Sequence, residues 1–248
     1  MYCEPRPFGT EMKPFSLLFL LPLIANADLY AHAVSEARKL LDASIIPNVT
    51  IRECSCDEQS ECLTEMKMQM LICADNCWGQ IQHTFKQPDD MKQCVLNKSV
   101  DAGTALDCVE RNVESCLREK SEIEVPKHDI EKGINLIMAY VKKSTAKMSK
   151  SLSTPIQRLI KTAETFTTCL KTCFVAKNKP TGFCFDRKQC QPKIDDKKVR
   201  SALKSCMGRY DWKQEAGEMC ECTANAGVSE VAQFCRVFKL MGTRERHG

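Results

Sequence analysis

Two pairs of cysteines, Cys73 with Cys77 and Cys169 with Cys173, stand four residues apart in segments of helical periodicity. Residues i and i+4 leave a helix in the same direction, so neither pair closes well on itself. Each sulfur has to reach a neighbouring segment. Two such bridges one turn apart fix both the position and the rotation of a helix against its neighbour, and each contributes about 2–4 kcal/mol. The full set of bridge candidates is Cys54, Cys56, Cys62, Cys73, Cys77, Cys94, Cys108, Cys116, Cys169, Cys173, Cys184, Cys190, Cys206, Cys220, Cys222 and Cys235. Sixteen thiols allow roughly two million pairings, so spacing alone leaves the connectivity open.

The seventeenth cysteine, Cys3, lies in a segment that reads as removed. Lys13 and Pro14 lead into the apolar run Phe15 to Ile24 and then Ala25-Asn26-Ala27, the pattern of a signal peptide over residues 1–27 with an A-x-A cleavage site. The run is too short for a resident membrane span. Met12 is an alternative start, and the mature chain is expected to begin near Asp28 with an even cysteine count. Such a count in an exported chain implies up to eight disulfides. The last segment, Lys239 to Gly248, is polar and reads neither as a lipid-anchor tail nor as a retention signal. Asn48-Val-Thr and Asn97-Lys-Ser are candidate glycosylation sequons at Asn48 and Asn97. The expected product is a secreted, extracellular glycoprotein with no transmembrane segment.

Four helical patterns stand out. Cys62, Met66, Met70, Cys73, Cys77 and Ile81 form one stripe, predicting a buried helix face over Cys62 to Gln82. Ile130, Ile134, Ile137, Val141 and Met148 share a second face, with Lys132, Lys143, Lys147 and Lys150 opposite. A third helix opens at Ser153-Thr154-Pro155, read as a capping hydroxyl followed by proline at the first helical position, and buries Ile156, Leu159, Ile160, Ala163, Phe166, Leu170 and Phe174. The fourth, capped by Ser229, carries Val231, Phe234, Cys235 and Phe238. Alternating runs are scarce and aromatics make up 6% of the chain, which argues against an all-β fold. The expected class is therefore all-α, one or more disulfide-stapled helical domains. The divisions are an acidic cysteine-rich half (28–120), a cysteine-free helical connector (121–168) and a basic cysteine-rich half (169–248). In both halves a CxxxC pair is followed by a spacer and two cysteines with thirteen residues between them, the order an internal duplication would leave, although the residues between barely match.

The formal net charge of +4 conceals an asymmetry. Residues 28–120 hold 16 acidic and 10 basic side chains, net −6, and residues 121–248 hold 14 and 24, net +10. Either the halves attract each other within one fold, or the basic half meets an anionic partner such as sulfated glycan or lipid head groups. For the second reading the candidate anion-binding face is Lys132, Lys143, Lys147 and Lys150. Nothing points to nucleic acid.

Chemistry has few candidates. No CxxC occurs, so neither a thioredoxin-type pair nor a zinc knuckle is present, and the CxC pairs Cys54/Cys56 and Cys220/Cys222 each read as members of two adjacent disulfides rather than metal ligands. His32, His83, His128 and His247 lie in no nucleophile, zinc or acid-base motif. His128-Asp129 has the order of a secreted phospholipase dyad without its preceding cysteines, and reads as an exposed histidine before a helix that Asp129 caps. Glu61, Glu65, Glu110 and Glu114 have helix-surface spacing, and Trp78 and Trp212 read as packing residues. No cofactor, metal or catalytic residue is expected. The expectation is a non-enzymatic structural or interaction protein; the alternative is a lipid or small-ligand carrier with Met66, Met68, Met70 and Leu71 lining a soft apolar pocket.

The run CLKTC from Cys169 to Cys173, Cys206, and CECTANAGV from Cys220 to Val228 resemble the helical cysteine-rich domains of nematode secreted proteins of the chondroitin proteoglycan 4 type, over Phe166 to Phe238. The resemblance implies an extracellular, non-enzymatic protein of egg or matrix. The chain has no Ser-Gly dipeptide, the attachment site for chondroitin, so a glycan-bearing role does not carry over.

Overall fold

Ser55 begins the helix that organises the molecule. Its hydroxyl accepts from the Glu58 N–H (3.3 Å) and the Glu58 carboxylate accepts from the Ser55 N–H (3.0 Å), a reciprocal cap on two otherwise orphaned donors. The computed structural model describes residues 26–149, 153–207 and 212–243, and within them the helices are α1 (Asn26–Ser44), α2 (Cys56–Trp78), α3 (Pro88–Val113), α4 (Ile130–Ser149), α5 (Thr154–Asn178), α6 (Cys184–Lys188), α7 (Asp196–Met207), α8 (Trp212–Asn225) and α9 (Ala232–Thr243). The chain is thus mostly helical, as the spacing predicts. Most of the predicted leader falls outside the described residues, as do Cys3, Lys150 and His247; the side chains of His32, Lys147, Met148, Trp212 and Phe238 are outside them too.

All sixteen candidate cysteines pair. Cys73–Cys173 and Cys77–Cys169 join the two CxxxC motifs to each other, and the crossed order makes α2 and α5 antiparallel neighbours. The same nesting continues outward through Cys62–Cys184 to α6 and Cys54–Cys190 to the sheet. Cys94–Cys222 and Cys108–Cys206 lay α3 against α8 and α7. Cys56–Cys116 and Cys220–Cys235 close the two shorter loops. Six bridges therefore connect residues 28–120 with residues 169–248. Exchanging the halves maps Cys73–Cys173 onto Cys77–Cys169 and, with Cys222 in the place of Cys220, Cys94–Cys222 onto Cys108–Cys206.

A small sheet of order β2-β1-β3 accompanies the helices: β1 (Ile45–Glu53), β2 (Glu124–His128) antiparallel to it and β3 (Cys190–Gln191) parallel. The β1–β2 register slips between Ile45 and Thr50, where Asn48 takes a left-handed backbone (φ 57°). This bulge breaks the alternation that would have announced β1.

Cysteine does much of the packing. Of the 22 buried apolar residues among those described, nine are cysteines, so the interior depends on the bridges as well as on contact area. One cluster gathers Cys54, Cys62, Cys184, Phe185 and Cys190; a second gathers Trp78, Ile81, Phe85, Met91 and Ala226, with Phe166 edge-on to Trp78. The turn after α8 closes the second cluster. Ala226 is fully buried and Gly227 sits at φ 101°, where an added Cβ would lie 2.5 Å from Lys86 Cβ. A side chain would be excluded there by both the backbone and Lys86.

Several expected faces differ. α2 ends at Trp78, since Gly79 and a 3₁₀ turn at Gln82–Thr84 replace its last turn, and Met70 is exposed rather than buried. In α4, Ile137 and Val141 are 47% and 46% exposed, because α1 and α5 leave that side of the helix uncovered. Ala163 of α5 is likewise exposed. Ser153 has the N-cap backbone but its hydroxyl makes no capping bond, and Pro155 follows Thr154 rather than opening the helix. Ser229 begins a 3₁₀ turn ahead of α9 and does not cap it.

Candidate functional site

His128 is half-buried, not exposed, because it ends β2 against α1. Its Nδ1 lies 3.0 Å from both the Leu41 carbonyl and Ser44 Oγ, and the Gln191 side-chain amide pairs with its backbone N–H and C=O, each at 2.8 Å. The Ser44–His128 contact has the atoms of a nucleophile and base, but Ser44 is 1% exposed and its hydroxyl donates to the Leu41 carbonyl at 2.6 Å. The pair locks α1 to the sheet. Asp129 does cap α4, accepting from the Lys132 N–H at 2.8 Å.

The strongest electrostatic cluster is also a lock. Arg52 on β1 forms two 2.9 Å bonds to the buried Glu58 carboxylate, and Lys120 approaches it at 3.0 Å. The Arg52 hydrogen bonds, with the Ser55 N–H and Lys120, hold the Glu58 carboxyl far below the usual carboxylate range despite its burial. Lys98 on α3 is held above the usual ammonium range by Glu215 first and then Glu218, both on α8.

The charge asymmetry divides by location. Near the sheet, basic residues of the second half meet acidic residues of the first: Arg187 with Glu65, Lys188 with Glu61, and Lys198 with Glu114 (2.8 Å). On α4 and α5 they do not. Lys132 and Lys143 are exposed, and neither they nor Lys142, Lys161 and Lys171 form an ion pair among the described residues. Asn48 and Asn97 are both exposed, the first on the β1 bulge and the second on α3.

The pocket expected around the α2 methionines is not formed: Met68 and Leu71 are 55% and 50% exposed on the outer side of that helix. A cleft of about 1000 Å³ lies instead between α4 and α5, open to solvent, with Met138, Val141, Ile160 and Ala163 among its lining residues. Its size is at the upper end for small-molecule sites. Four threonines on its α5 wall turn their hydroxyls back to their own helix: Thr165 to the Lys161 carbonyl (3.0 Å), Thr167 to Ala163 (2.9 Å), Thr168 to Glu164 (2.7 Å) and Thr172 to Thr168 (2.9 Å). Thr145 on α4 does the same with Val141 at 3.0 Å. A threonine bonded this way offers the cleft a methyl group and an acceptor, but no donor. The wall is therefore more apolar than its sequence reads.

Comparison with protein-family models, curated proteins and solved structures yields no match. Among the described residues no helix is long and apolar enough to cross a membrane, and no group of three or more histidine, cysteine or acidic residues could hold a metal.

Proposed function

We propose that this chain is a secreted, non-enzymatic binding protein of the extracellular space, and that the α4–α5 cleft is where it binds. The bridges support an oxidising compartment, since eight disulfides persist there and are rare in a reducing cytosol. The observation that carries the binding reading is the cleft itself: an apolar-walled trough between α4, which no bridge touches, and the face of α5 from Ile160 to Ala176, whose lining includes Cys169 and Cys173 of the clamp. A carrier function follows more directly from it than a purely structural one, because a protein acting only as scaffold has no need of an open apolar trough. The residues responsible differ from the methionines of α2 that the sequence points to.

The test uses secreted protein and the neutral dye Nile red. Saturable fluorescence enhancement is expected, and Ala139→Trp with Ala163→Trp, both at exposed positions lining the cleft, should abolish it without lowering the melting temperature. Dye binding that survives both substitutions would show that the cleft is not the site.

A further inference from the structure

We infer that the ligand of the cleft is a free single-chain anionic amphiphile, a long-chain carboxylate whose alkyl tail lies along the trough and whose head meets the cleft lysines. This assignment rests on the α4–α5 cleft being the binding site and adds the chemistry of what it takes.

The polar groups of the cleft specify the head. Among the described residues three lysines line it, Lys142, Lys161 and Lys171, against a single carboxylate, Glu164. None of the three lysines has an ion-pair partner among the described residues, whereas Lys188 and Lys198 near the sheet each have one. The five threonine hydroxyls are committed to backbone carbonyls, so they supply no donor to a neutral polar ligand. Among the described residues the remaining side-chain donors of the cleft are the ammonium groups and the amides of Gln80 and Asn135. A cationic head would meet three like charges. An uncharged head would gain little from lysines that water already solvates. An anion takes up the lysines' unpaired charge, and a cleft bounded by low-dielectric walls strengthens that attraction relative to open surface.

The shape specifies the tail. On the α5 side the lining runs from Ile160 to Ala176, about 24 Å at 1.5 Å per residue. A lining of that length suits an extended alkyl chain better than a compact ring system. Each methylene removed from water contributes about 0.8 kcal/mol, so affinity should climb with chain length until the trough is full. The threonine methyls and the Ala163 and Ala176 side chains leave room for such a chain against the α5 backbone.

Competition against bound Nile red separates the parts of this assignment. Dodecanoate should displace the dye about tenfold better than its methyl ester, and dodecyltrimethylammonium should be the weakest of the three. Lys161→Gln with Lys171→Gln should remove the advantage of dodecanoate over the ester while leaving Nile red affinity unchanged. Equal displacement by all three amphiphiles would overturn the anionic assignment and leave the cleft standing as an apolar site. Loss of Nile red binding in the lysine variant would show that the lysines shape the cleft rather than read a head group. Sedimentation with phosphatidylserine vesicles provides the last arm: vesicle binding that depends on the same lysines, without displacement of dye by dodecanoate, would assign them to a membrane surface and overturn the free ligand.

Discussion

The α2–α5 pairing near the CxxxC motifs and the α4–α5 pairing share a helix, yet the two contacts are built differently. In the first, two disulfides one turn apart fix rotation and separation. In the second no bridge crosses, the two helices diverge around a cleft, and Ile137 and Val141 stay half in water. One long helix thus meets the clamped frame on one side through Cys169 and Cys173 and the open cleft on another from Ile160 to Ala176, and its N-terminal half carries no bridge. Local stability should fall along α5 accordingly, since regions with few buried contacts open at lower free energy.

The largest effect should come from unpicking the clamp. Replacing Cys169 and Cys173 together with alanine removes two bridges that close loops of 92 and 100 residues, and should cost about 2–4 kcal/mol for each or prevent secretion. A double variant that is secreted and melts like the parent would mean that packing, not the bridges, holds α2 to α5.

Next comes Glu58→Gln, which strands Arg52 on the frame and should cost about 3–5 kcal/mol at neutral pH. Because the folded pKa of Glu58 is depressed, its contribution is full above its ordinary value of 4.5 and is lost as pH falls toward the folded value. The parent should therefore lose stability on acidification below about pH 4.5 more steeply than the variant. Parallel pH–melting curves would show Glu58 to be unimportant to acid unfolding.

Two glycines give opposite signs. Gly227→Ala in the frame should destabilise by about 1–3 kcal/mol, from the left-handed backbone and the approach of Lys86. Gly133→Ala in α4 should stabilise by about 1 kcal/mol, because its new methyl would rest 3.6 Å from Ser44 Cβ, an ordinary contact, and the helix gains propensity. Denaturant midpoints with unchanged slopes would check both.

The smallest effect on stability should come from changing Lys132, Lys143, Lys147 and Lys150 to glutamine. Melting should be unaltered and retention on immobilised heparin weakened. Retention that the substitutions leave unchanged would remove anion binding from this face.

What could be read from the sequence follows the same division. Helix-spaced cysteines announced α2 and the C-terminal half of α5, and the rule that i and i+4 sulfurs reach outward is met by the joining of the two CxxxC motifs. Which motif met which was not readable, because spacing carries no information about distance in space. β1 escaped because Pro47 and Asn48 interrupt its alternation at the bulge. The apolar stripe of α4 was visible, but periodicity cannot show that a stripe lacks a partner. The cleft was hidden most thoroughly: its α5 wall is threonine, polar by residue type, and only the hydrogen bonds within the helix turn it apolar.

The nested bridges also govern the order in which the chain can mature. Synthesis delivers the N-terminal half first, at about 5–20 residues per second. When Cys116 has emerged, Cys56 can find it, but Cys54, Cys62, Cys73, Cys77, Cys94 and Cys108 have no native partner until residues 169–222 follow. If the chain is exported as proposed, six thiols wait together in an oxidising lumen, free to join one another wrongly. Reaching the native pairing of such a chain then requires thiol exchange after translation, a slow step that isomerases speed.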